Sequence, residues 1–71
     1  MENKVIKAKD LAVDDVVTIY GCKWVVDCIN KLENGDVQVD YVYNRGYRIQ
    51  RVYLPNAKIK VLKKENKNGR N

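Results

Sequence analysis

The sequence predicts an all-β domain of five strands followed by a disordered basic tail. Three observations carry this. Runs of β-branched and aromatic residues of strand length recur along the chain, separated by turns rich in glycine and asparagine. Two of those turns, Asn34-Gly35 and Asn44-Arg45-Gly46, independently select the same apolar side of the strand between them. A length of 71 residues leaves room for one hydrophobic core and not for two.

Taken in order, Ala8 to Asp15 has no sustained 3.6-residue periodicity and reads as a loop with at most one helical turn around Lys9 to Leu11. Asp14-Asp15 falls in a turn or exposed loop. Val16-Val17-Thr18-Ile19-Tyr20 is β-branched and aromatic and ends at Gly21, so it forms the first strand and a turn. The next run, Lys23 to Leu32, alternates Trp24, Val26 and Cys28 with Val25, Asp27 and Ile29. Asn34-Gly35 then closes a two-residue type I′ hairpin, the turn that needs positive φ at both central residues. That register sets Leu32 opposite Val37, Asn30 opposite Val39, Cys28 opposite Tyr41 and Val26 opposite Tyr43.

The second hairpin turns on Asn44-Arg45-Gly46, with Gly46 in the left-handed position. It pairs Tyr43 with Tyr47, Tyr41 with Ile49, Val39 with Arg51 and Val37 with Tyr53. Both hairpins thus place Val37, Val39, Tyr41 and Tyr43 on the core face, and a slip of one residue in either would break the agreement. Pro55 interrupts the ladder because it has no N–H to donate. Ile59-Lys60-Val61-Leu62 resumes a short alternation as the fifth strand, closing a domain over residues 1–62. Residues 63–71 contain no apolar side chain and read as the tail.

Composition then removes whole classes of chemistry. With no His, the commonest acid-base group and activator of nucleophiles is missing, which excludes Ser-His and Cys-His catalysis. The glycines are dispersed and make no phosphate-binding loop. Cys22 and Cys28 lie about 20 Å apart on an extended strand, too far for a disulfide, and two thiols without His cannot complete a zinc site. Free thiols suit a reducing compartment, hence the cytoplasm. No segment approaches the ~20 apolar residues of a membrane span. A non-enzymatic protein without metal or cofactor is the expectation. Small size and richness in lysine and asparagine suit a gene of a phage or other mobile element.

The assembled order is strand, glycine turn, Trp-bearing strand, two hairpins, a proline turn and a short last strand. Together with Asp10-Leu11-Ala12-Val13-Asp14-Asp15-Val16-Val17, Gly21-x-x-Trp24, Asn34-Gly35-Asp36-Val37 and Ile59-Lys60-Val61-Leu62, it resembles the SH3-like small barrels, over roughly residues 8–62. The first of these segments is similar to the L-x-V-G-D-x-V entry of many such barrels, with Asp14 standing where that entry has its Gly. The resemblance implies a binding module, since these barrels bind RNA, DNA and peptides alike.

Charge supplies the functional expectation. The formal +5 hides an asymmetry: residues 1–40 carry a net −3 and residues 41–71 a net +8. Such lopsidedness points to a polyanion. The expected partner is DNA or RNA, bound largely without regard to sequence by Arg45, Tyr47, Arg48, Arg51, Lys58, Lys60, Lys63 and Lys64 through counterion release. Tyr47 would lie under a base among the arginines. Against this, Arg48 can pair diagonally with Asp40, Arg51 can snorkel at the barrel rim, and the tail lysines can serve solubility alone. Trp24, Tyr41, Tyr43, Tyr47 and Tyr53 share the inward parity and are expected in the core, with Tyr43 and Tyr47 at its rim. A second expectation is a protein-interaction module, adaptor or inhibitor, docking on a larger partner through the outward-facing Val25, Ile29, Val42 and Val52.

Overall fold

A computed structural model describes residues 3–44 and 46–62. They form six strands, β1 (Asn3–Lys7), β2 (Val16–Ile19), β3 (Cys22–Lys31), β4 (Val37–Tyr43), β5 (Tyr47–Tyr53) and β6 (Lys58–Leu62), with one 3-10 turn at Ala8–Asp10. The chain is all-β. Every pairing is antiparallel, and the sheet runs β1-β6-β2-β3-β4-β5. The tail expected at 63–71 lies outside the described residues.

The five-stranded closed barrel is therefore corrected to an open sheet of six strands. The added strand is β1, which pairs with β6 along its whole length, from Asn3 opposite Leu62 to Lys7 opposite Lys58. A strand has two edges, and β6 spends one on β1 and the other on β2 through the Val17–Val61 pair. No edge of β6 is left for β5, so hydrogen bonds do not close the sheet into a ring. Pattern reading missed β1 because it buries little: Ile6 packs on the core while Val5 is 55% exposed. Backbone bonding, which leaves no trace in side-chain periodicity, holds it.

The β2–β3 hairpin closes on a type I′ turn. Ile19 pairs with Cys22, and both intervening residues have positive φ, Tyr20 at 53° and Gly21 at 78°. The type I′ geometry expected at Asn34-Gly35 is absent there. Leu32 N–H donates to Asp36 O at 2.8 Å and Gly35 N–H to Leu32 O at 2.9 Å, which makes a three-residue loop. Only Gly35 of that loop takes positive φ, at 95°, and Asn34 Oδ1 instead accepts the Asp36 N–H at 3.0 Å.

The longer loop moves the register by one residue, so that Lys31 faces Val37, Asn30 faces Gln38 and Ile29 faces Val39. A bulge between Val26 and Cys28 moves it again, setting Val26 opposite Tyr41. Burial decides the outcome. The expected register would have put Asn30 against the fully buried Val39, whereas the observed one matches Val39 with Ile29 and Tyr41 with Val26. The second hairpin has the expected register, Tyr43–Tyr47 through Val37–Tyr53. In its loop, however, positive φ is found at Asn44 (50°), and Gly46 N–H donates to Asn44 O at 2.7 Å.

Tyr41, Val26, Val37, Val39 and Val61 are the largest fully buried side chains and mark the centre of the core. The Tyr41 hydroxyl shares a 2.8 Å hydrogen bond with that of Tyr53. Desolvation, reinforced by this bond, pushes the Tyr41 phenol far above its ordinary value. The 3-10 turn caps one end of the core by hydrogen bonding the loop before β6, Ala8 N–H to Ala57 O at 2.8 Å and Lys9 N–H to Pro55 O at 3.0 Å. Asp14 and Asp15 lie on the turn before β2, where Asp15 Oδ2 accepts the Ala12 N–H at 2.9 Å. Asp14 holds a left-handed φ of 80°, a conformation that glycine takes more readily.

Candidate nucleic-acid interface

Strand parity sorts the charged side chains by face. On β5, Tyr47, Ile49, Arg51 and Tyr53 point with the core-facing residues of β4, while Arg48, Gln50 and Val52 point away. Both strand carboxylates belong to the outer side. Arg48 forms an ion pair with Asp27, the residue set out by the β3 bulge, and Gln50 Nε2 donates to Asp40 Oδ1 at 3.0 Å. The diagonal Arg48–Asp40 pair is thus replaced by Arg48–Asp27. Arg48 is compensated locally and stands apart from the other cations.

Arg51 has a different setting. It is half-buried, and its guanidinium carbon lies 5.8 Å from the centroid of the Tyr20 ring, within cation–π range. Arg51 and Tyr53 from β5, Thr18 and Tyr20 from β2 and its turn, and Lys58 and Lys60 from β6 line one groove of about 350 Å³. The apolar floor is Val17, Ile19 and Ile59, and among the described residues no carboxylate lines it. The groove therefore brings three basic residues, two tyrosines and a threonine to the seam between β5 and the β2–β6 pair, with Lys58 and Lys60 alternating with the buried Ile59 and Val61 and Arg51 on the core-facing side of β5. This composition favours an anion with planar parts.

Of the residues expected to bind nucleic acid, the groove unites Arg51, Lys58 and Lys60. Tyr47 lies further along the same face of β5, 64% exposed, its ring 6.1 Å from that of Tyr43. Tyr43 in turn lies 5.2 Å from Trp24. Of the five aromatic residues assigned to the core or its rim, only Tyr41 is fully buried, and Tyr47 is an exposed surface ring. Arg45, Lys63 and Lys64 lie outside the described residues. Tyr20 and Thr18 were missed. The available signal was the Tyr20-Gly21 pair, a two-residue turn between two β runs.

The outward apolar set changes as well. Val25 and Val42 are direct partners and half-buried, and Val52 is 52% exposed opposite Gln38. Ile29 leaves the set: the register set by the three-residue loop turns it to the core side, where it packs against the buried cluster opposite Val39. Cys22 and Cys28 are both free. The neighbouring Cys22 thiol raises the pKa of the Tyr43 phenol. Among the described residues no helix is long and apolar enough to cross a membrane. Comparison with protein-family models, with curated proteins and with solved structures returned no match.

Proposed function

We propose that this chain is a small non-enzymatic nucleic-acid-binding domain of the SH3-like kind, acting in the cytoplasm. One observation carries the reading: Arg51, Lys58 and Lys60, from strands not adjacent in the sheet, line one groove with Tyr20 and Tyr53 and, among the described residues, without a carboxylate. Phosphate oxygens would displace counterions from these cations, and affinity would come mainly from that release. The free thiols Cys22 and Cys28 agree with a reducing compartment.

Fluorescence anisotropy of labelled oligonucleotides across a salt series tests the proposal. If the full chain neutralises about four to six phosphates, log affinity falls against log salt with a slope of about −3.5 to −5.5. Replacing Arg51, Lys58 and Lys60 together by Gln should flatten that slope by about two to three. Absence of binding at low salt, or a slope that the triple variant leaves unchanged, would remove the groove from the account.

A further inference from the structure

We propose that the domain prefers single-stranded nucleic acid, with unpaired bases stacked on Tyr20 and Tyr47 and the backbone held by Arg51, Lys58 and Lys60. This rests on the nucleic-acid reading above and adds strandedness to it. Three independent features support the step from phosphates to bases.

Tyr20 is the first. It occupies the leading central position of a type I′ turn at φ 53°, where Asn, Asp and Gly are at home and a bulky side chain is strained. Its ring is 92% exposed, so the core gains nothing from it. Its contact is with Arg51, the cation of the groove. An exposed aromatic held in a costly conformation beside a phosphate-binding candidate is explained by a ligand that uses the ring face.

The aromatic row is the second. Trp24, Tyr43 and Tyr47 come from β3, β4 and β5, with centroids 5.2 and 6.1 Å apart and planes tilted by 37° and 40°. The inner two are half-buried, so the exposed Tyr47 is supported from behind by the Tyr43 ring, which itself packs against Trp24. A ring with few rotamers left to lose is a good stacking platform.

The third is charge. Tyr47 and Arg51 share one face of β5, about 13 Å apart at ~3.3 Å per residue. The strand carboxylates Asp27 and Asp40 occupy the other face and are engaged by Arg48 and Gln50. A strand of nucleic acid laid from the groove toward Tyr47 follows cation and ring without passing a strand carboxylate. Only unpaired bases present their π faces. A duplex hides them in its stack and would engage the cations alone.

The test uses the full chain with three probes at one low salt concentration: an oligothymidine of about ten nucleotides, a duplex of equal length, and heparin, a polyanion without bases. The oligothymidine should bind about tenfold or more tighter than the duplex and quench the emission of Trp24. Tyr20→Ala and Tyr47→Ala should each weaken oligothymidine binding by about five- to a hundredfold; Tyr47→Ala, which lies outside the groove, should leave heparin binding unchanged, while Tyr47→Phe, which keeps the ring, should restore oligothymidine binding. Both tyrosines are exposed, so thermal melting should show both alanine variants folded. Equal affinity for single strand and duplex, or a Tyr47→Ala variant that weakens heparin and oligothymidine alike, would overturn strandedness and leave the groove reading intact. Failure of all three probes to bind would overturn both.

Discussion

Two side chains show what the backbone asks of single residues. Asp14 and Tyr20 both hold left-handed φ, 80° and 53°, without being glycine. For an L-residue that conformation costs roughly 1–2 kcal/mol, part of which glycine returns through its larger unfolded-state entropy. Asp14→Gly should therefore stabilise the domain by about 0.5–1 kcal/mol, raising the melting temperature by several degrees in a thermal scan. Tyr20→Asn should stabilise for the same reason yet weaken oligothymidine binding. That opposition is expected where strain serves a ligand rather than the fold. Tyr41 sets a limit on alkaline stability. Its ordinary value is near 10, and burial and the Tyr53 bond raise it in the folded chain. Below pH ~10 both states keep the proton and stability does not respond. Above it the unfolded chain loses the proton first, so stability falls with rising pH by up to ~1.4 kcal/mol per unit. Urea melts between pH 9 and 11 should show this fall. Tyr41→Phe should reduce it, while costing about 1 kcal/mol at neutral pH for the lost hydrogen bond.

At the scale of elements, the two hairpins differ in how much their residues reveal. Asn34-Gly35 is compatible with a two-residue type I′ turn and with a three-residue loop in which only the glycine is left-handed, and the two differ by one residue in register. The structure has the second form, and substitutions distinguish them. Gly35→Ala should cost about 1–2 kcal/mol, because φ is 95° there, whereas Asn34→Ala should cost no more than ~1 kcal/mol, the bond to Asp36. Comparable losses on denaturant melting would favour the type I′ geometry. The β4–β5 hairpin was legible because alternation runs unbroken on both strands and the loop allowed one register. The β3–β4 hairpin was not, since the bulge at Asp27 reverses parity midway and its only trace is an apolar Ile29 on the seemingly outward side. β1 escaped notice because a strand held by its backbone with one packed side chain, Ile6, has no period to read. The site divides along the same line. Lys58 and Lys60 were readable from the alternation of β6 and Arg51 from that of β5. Tyr20 was not, because its place depends on turn geometry and on β5 approaching β2 without hydrogen bonding to it.

For the whole molecule, net charge is a poor guide and placement a good one. The described residues span 40 × 27 × 19 Å, so even the thinnest dimension exceeds the ~10 Å Debye length at 0.1 M salt. Cations on opposite faces are thus largely screened from one another, and a polyanion on one face interacts mainly with the cations of that face. Arg48 and Arg51, three residues apart on β5, provide the comparison. Arg48 is on the outer face and paired with Asp27, while Arg51 lines the groove beside Tyr20. Changing either to Gln removes the same unit of charge from the same molecule, so any difference between the variants reports location alone. Arg51→Gln should weaken oligonucleotide binding and flatten the salt slope by about 0.7 for a single strand and about 0.9 for a duplex. Arg48→Gln should leave both slope and affinity unchanged and cost less than ~1 kcal/mol of stability, as expected for an exposed ion pair. Equal effects of the two substitutions would mean that binding follows total charge, and the interface would then have to be sought away from the groove.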